Sequence, residues 1–169
     1  YEIGSGLVGS EMCIRDRDTV ALMNRLMTTL NKGARDVMVR HQVHACTDVT
    51  GFGLLGHGFE MAQGSDTHLT LFPGEIDLIP EALELARDGI LPAGMYRNRH
   101  YAEAAVDPGS TELAVQDMLY DPQTSGGLLI AAAPEDADAL LRELRGAVPS
   151  AQRIGVVEAY NGGPRISLR

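Results

Sequence analysis

Residues 43–63 carry the pattern that most restricts the fold: an apolar stretch that ends on a carboxylate, a turn of closely spaced glycines, then apolar residues at helical spacing. Residues 43–49, VHACTDV, read as a buried strand. Thr50-Gly51-Phe52-Gly53 ends it with the backbone freedom that a sharp turn needs. Leu54, Leu55, Phe59 and Met61 then mark one face of a helix reaching about residue 63.

The remaining segments alternate between the two periods. Asp18 stands as the N-cap of an amphipathic helix whose apolar positions are Val20, Leu22, Met23, Leu26, Met27 and Leu30, and Ala34, Val37 and Met38 predict a second short helical piece ending near His41. Residues 66–72, DTHLTLF, alternate as a strand. Pro80 opens a helix through about Arg87, with Gly89 placed to end it. Residues 90–98 read as a loop, followed by a short helix over 101–105 and another over 111–119. Residues 126–133, GGLLIAAA, fit an interior strand covered on both faces. Residues 134–145 give the clearest helix, residues 154–159 and 166–168 two closing strands, paired as a hairpin across Asn161-Gly162-Gly163. Helices and strands in mixed order predict an α+β or layered α/β fold, a mixed sheet packed with helices.

With 169 residues and 44% hydrophobic composition the chain can bury one ordinary core. A formal charge of -9 repels phosphate backbones and anionic lipid, so neither nucleic acid nor membrane is expected as a partner. An anionic ligand such as a nucleotide would have to be held by metal ions or local donors. Two cysteines without metal or redox spacing, and no apolar run of about 20 residues, predict a cytoplasmic protein.

Gly4-Ser5-Gly6-Leu7-Val8-Gly9 matches the GxGxxG dinucleotide fingerprint, but only three residues precede it and no helical period follows, so the strand and helix on which phosphate binding depends are missing. Residues 7–17, LVGSEMCIRDR, instead resemble the translation of a sequencing adapter. Residues 1–17 are therefore expected to be a non-native extension, and residues 18–169 the domain. Cys13 drops out as a candidate by the same argument.

Two constellations could carry chemistry. In the first, CTDVTGFGLLGH, Asp48 ends a strand beside a glycine turn and a helix start, where an oxygen ligand could hold a hard cation; the bland alternative is that Asp48 or Thr50 merely caps the helix. In the second, Asp121-Pro122-Gln123-Thr124-Ser125-Gly126-Gly127, ordinary turn chemistry is a sufficient account. Cys46 is read as a packed small hydrophobe and His44 and His57 as structural or surface groups. Arg97 and Arg99 could meet a phosphate but are expected to be solvated, and Glu135 with Asp136 reads as helix N-terminal charge.

Taken together, CTDVTGFGLLGH and DPQTSGGL resemble the C-terminal domain of the selenophosphate synthetase (selenide, water dikinase) family. Residues 27–31, MTTLN, residues 90–94, ILPAG, and Arg97-Asn98 agree as well. The resemblance implies a transferase that converts ATP, selenide and water to selenophosphate, AMP and phosphate with Mg2+, the selenophosphate being used for selenocysteine biosynthesis or for modified transfer RNA. It implies one site residue here, Asp48, as a magnesium ligand. Reactive, nucleotide-binding and further metal-binding residues belong to an N-terminal domain that this chain would lack. The chain alone is therefore expected to be inactive, with no catalytic residue of its own, and the homodimer of the family to depend on that other domain. Another ATP-dependent synthetase of the same superfamily, and a non-catalytic binding module of that fold, are the alternatives.

Overall fold

The computed structural model describes residues 17–169. The expectations for residues 1–16, the adapter-like stretch and the glycine fingerprint among them, lie outside the described residues.

Seven helices longer than one turn and six strands are seen among these residues, an α+β arrangement as the mixed pattern predicts. The helices are α1 (Arg17–Thr28), α2 (Lys32–Met38), α3 (Gly53–Gly64), α4 (Pro80–Arg87), α5 (Ala93–Ala102), α6 (Leu113–Tyr120) and α7 (Ala137–Ala147). The strands are β1 (Val43–Asp48), β2 (Thr67–Leu71), β3 (Val106–Asp107), β4 (Leu128–Ala132), β5 (Gly155–Ala159) and β6 (Ile166–Leu168).

The strands form two sheets. One is the antiparallel pair β1–β4. The other runs β3-β6-β2-β5, with β2 antiparallel to β5 and β6 parallel to both β2 and β3. The expected hairpin between β5 and β6 does not form: the two strands flank β2 instead. Their connection folds around Arg165, whose guanidinium lies 3.4 Å from the Tyr160 ring centroid and bonds Asp66 at 2.9 Å.

Two apolar clusters hold the layers. The larger joins α3, α5 and α6 to the four-stranded sheet through Leu54, Leu55, Leu69, Met95, Leu119 and Ile166. Gly58 allows the close approach of α3, since a β-carbon there would already touch Leu69, Ile166 and Leu129 at 3.4–3.9 Å. The smaller cluster, Ala34, Val37, Leu140 and Leu144, clamps α2 and α7 onto one face of the β1–β4 pair. Burying such a side chain stabilises by roughly 1.5–3 kcal/mol, so each cluster outweighs the few tenths expected from the exposed ion pairs.

Several expectations need correction. β1 is not buried but alternates half-buried and exposed residues, so packing covers one of its faces and leaves the other largely open. β4 is not an interior strand: among the described residues it pairs only with β1, and of its five residues only Leu129 is fully buried. Residues 93–102, expected to be mostly loop, form α5; its inner face is Gly94, Met95, Asn98 and Ala102, too small and polar to print an apolar stripe. α7 begins at Ala137 and not at Pro134, because Asp136 turns its carboxylate to the backbone N–H of Gln42 at 2.8 Å and to His41 at 3.0 Å. Its charge therefore anchors the start of β1 instead of capping α7.

Candidate functional site

The two glycine-rich motifs, 74 residues apart at Asp48 and Pro122, meet in space. Asp48 is the last residue of β1 and pairs with Leu128, the first of β4. Beyond them the backbones continue to bond: Val49 N–H donates to the Gly127 carbonyl at 2.9 Å, Gly126 N–H to Val49 at 3.0 Å and Gln123 N–H to Thr50 at 2.9 Å. These three backbone bonds join one turn to the other and fix both without a long strand ladder.

Glycine makes that contact feasible. Gly53 has φ +68, and a β-carbon on it would come within 2.7 Å of the Tyr120 carbonyl. At Gly126 a β-carbon would sit 2.7 Å from the Val49 carbonyl oxygen. Asn98, buried on α5, ties the assembly together: its Nδ2 donates to the carbonyls of both Gly51 and Tyr120 at 2.9 Å. Sequence reasoning left Asn98 in a loop; its signal is an amide at a helix position where small buried residues recur at i−4 and i+4, Gly94 and Ala102. His57 performs a similar service from α3, sharing a hydrogen bond of 3.1 Å between its Nε2 and Thr50 Oγ1. The structural role expected of His57 is thereby found, and His44 lies exposed on β1.

Asp48 itself is exposed, and among the described residues no cation lies within ion-pairing distance of it. It opens onto a shallow groove between α2 and β1 lined by Asn31, Lys32, Arg35, Met38 and Cys46. Lys32 and Arg35 both pair with Asp36, at 2.5 and 2.9 Å, and together they hold that carboxyl below its usual range. Cys46 lies on the same exposed face of β1 as Asp48, correcting the expectation of a packed residue. Desolvation at the groove wall and the neighbouring Asp48 charge push its thiol pKa up, which keeps it a weak nucleophile.

Among the described residues no three His, Cys, Asp or Glu side chains are grouped to hold a metal, around Asp48 or elsewhere. A lone unpaired carboxylate at a strand end fits magnesium in one respect, since that ion keeps several waters and takes one or two carboxylates plus substrate phosphates.

Asp121, at the start of the second turn, is 7% exposed, and among the described residues its Oδ1 has no hydrogen-bond partner. Burial pushes its pKa up to about 7. Arg99 is not a free phosphate receptor: it pairs with the buried Asp117, and its guanidinium stacks 4.9 Å from the Tyr120 ring centroid. Arg97 is exposed.

Comparison with known proteins places this geometry. The family model "AIR synthase related protein, C-terminal domain" matches residues 3–165. Similar relatives include the selenide, water dikinase of Clostridioides difficile, 46% identical over 71% of this chain and 35% of its own length. Those of Treponema denticola and Citrifermentans bemidjiense are 40% identical over 84% and 96% of this chain, and over 41% and 47% of their own lengths. The chain thus spans less than half the length of these curated relatives. The matching of both glycine turns within one domain model makes this chain a member of the AIR synthase related C-terminal domain family, of the selenophosphate synthetase type.

Proposed function

We propose that the chain is the C-terminal domain, residues 18–169, of a selenide, water dikinase, and that it contributes Asp48 to the magnesium-dependent phosphoryl transfer that makes selenophosphate from ATP, selenide and water. The observation that carries this is the position of Asp48: an unpaired carboxylate at a strand end, held by two interlocked glycine turns and opening onto a groove. Magnesium bound there would neutralise charge developing on the transferred phosphoryl group. The chain's own part is to fix the carboxylate. The β1–β4 pairing sets its position, and Asn98 and His57 hold the turn that follows it.

One carboxylate cannot carry a phosphoryl transfer, so the remaining ligands, the reactive group and the nucleotide segment belong to the part by which the relatives are longer. The isolated domain is then inactive, and residues 1–17 are no part of its chemistry. The same reading has a cytoplasmic enzyme that dimerises through the other domain. Asp48→Asn in the longer parent tests it: ATP turnover is lost while the fold stays intact, and undiminished magnesium-dependent turnover would refute the assignment.

A further inference from the structure

Two aromatic rings stand exposed beside the turn that carries Asp48. Phe52 and Tyr101, 44% and 47% exposed, stack with centroids 5.6 Å apart at 28°. Phe59 packs edge-on against Tyr101 at 5.7 Å and His57 against Phe52 at 5.5 Å, so the pair is fixed from beneath while its outer faces meet solvent. Gly56 allows this arrangement, because a β-carbon there would lie 2.7 Å from the Phe52 β-carbon. One helical turn before Tyr101, on the same face of α5, Arg97 is exposed, and among the described residues no carboxylate lies within 4 Å of it.

A rigid, solvent-facing aromatic pair with an unpaired arginine at its side has the composition of an interface anchor: Tyr and Arg dominate binding energy, and aromatic rings are enriched at interface cores. Left exposed, it gains nothing for this domain. Two observations bear on what could cover it. The curated relatives carry more than half of their length outside the region matched here. The pair is also continuous with the turn after Asp48, the one candidate ligand, whose site needs groups from elsewhere.

We propose that Phe52, Tyr101 and Arg97 form the docking surface for the polypeptide by which the longer relatives exceed this chain, an intramolecular contact that brings further site residues up to Asp48. This rests on the reading of the chain as one domain of a longer enzyme. The surface fixes the other domain by burying the two rings, and Arg97 meets a carboxylate or carbonyl at its rim.

Hydroxyl-radical footprinting of the 169-residue chain and of the longer parent, side by side, reads this directly. Phe52 and Tyr101 are expected to be oxidised readily in the chain alone and about tenfold less in the parent, as burial in an interface core requires. In the parent, Phe52→Ser with Tyr101→Ser should restore reactivity at Phe59, and Arg97→Glu, which touches no core, should raise the reactivity of both rings. Equal reactivity in chain and parent would overturn the proposal. So would protection in the chain alone that grows with its concentration, because a second copy would then be the occupant. Footprint protection in a parent whose turnover survives Asp48→Asn would leave the docking surface standing and remove only the metal assignment.

Discussion

Gly53 and Tyr120 touch through their backbones so closely that a β-carbon on Gly53 would lie 2.7 Å from the Tyr120 carbonyl, at a residue whose φ is +68. This contact, and the matching one between Gly126 and the Val49 carbonyl, is where the two distant motifs become one site.

Gly53→Ala should therefore be costly on two counts, the positive φ and a clash with backbone that cannot swing aside. A loss of about 2–4 kcal/mol is expected. Gly51→Ala is the internal control: nothing lies within 4 Å of its added carbon and its φ is not positive, so a change below about 1 kcal/mol is expected. Urea denaturation of the two variants checks the contrast. Equal losses would mean that turn flexibility, and not the backbone contact, is what glycine provides here.

Asp121 makes stability depend on pH. Its carboxyl holds its proton to about pH 7 when folded but releases it near pH 4 when unfolded. The folded pKa is the higher one, so the associated stability is complete below about pH 4, drains away as pH rises, and is gone above about 7. At 1.4 kcal/mol per tenfold change the ceiling is about 4 kcal/mol, and partial relaxation of the site will reduce it. His41, whose pKa is raised by hydrogen bonding to Asp136, loses stability in the same direction. Asp121→Asn isolates the first effect: the difference in Tm between variant and wild type should shift in the variant's favour between pH 5 and pH 8, by about 2–3 kcal/mol equivalent at most. A pH-independent difference would place the proton elsewhere.

How much of this was legible in the sequence depends on whether the signal was local. α4 begins at Pro80 and ends at Arg87 as predicted, because proline in the first turn and Gly89 beyond the end are instructions read by the chain itself. β2, β5 and β6 were also placed as strands, yet their partnership was not: whether Gly155–Ala159 pairs with β6 or with β2 depends on contacts about 90 residues away. β1 shows the same limit. VHACTD is apolar enough to suggest burial on both faces, yet His44, Cys46 and Asp48 share the face that packing leaves largely open. The prominence of Asp48 came from resemblance; its exposure and its freedom from ion pairs came from the structure.

That freedom makes a sharp test. Because, among the described residues, Asp48 pairs with no cation and its carboxylate accepts no hydrogen bond, Asp48→Asn should leave the stability of this chain within about 0.5 kcal/mol of wild type. A flat Tm together with lost turnover in the parent would separate function from folding at this position. A large drop in Tm would assign Asp48 a structural role that the unpaired carboxylate does not show.

Arg99 provides the opposite case, a charge whose partner is buried. Asp117 has 9% of its side-chain surface exposed and faces Arg99, which keeps 21%, and Tyr120 covers the guanidinium at 4.9 Å. Arg99→Ala strands the Asp117 carboxylate without its cation and also removes the stacking on Tyr120, whose backbone carbonyl receives the Asn98 bond that spans both turns. Breaking a buried pair from one side costs about 3–5 kcal/mol, and the partial exposure of Arg99 should reduce that to about 2–3 kcal/mol. Arg99→Ala combined with Asp117→Asn should recover part of the loss, since no charge is then left buried. Denaturation of the two singles and the double gives the coupling. Simple additivity would show that the pair is an incidental contact.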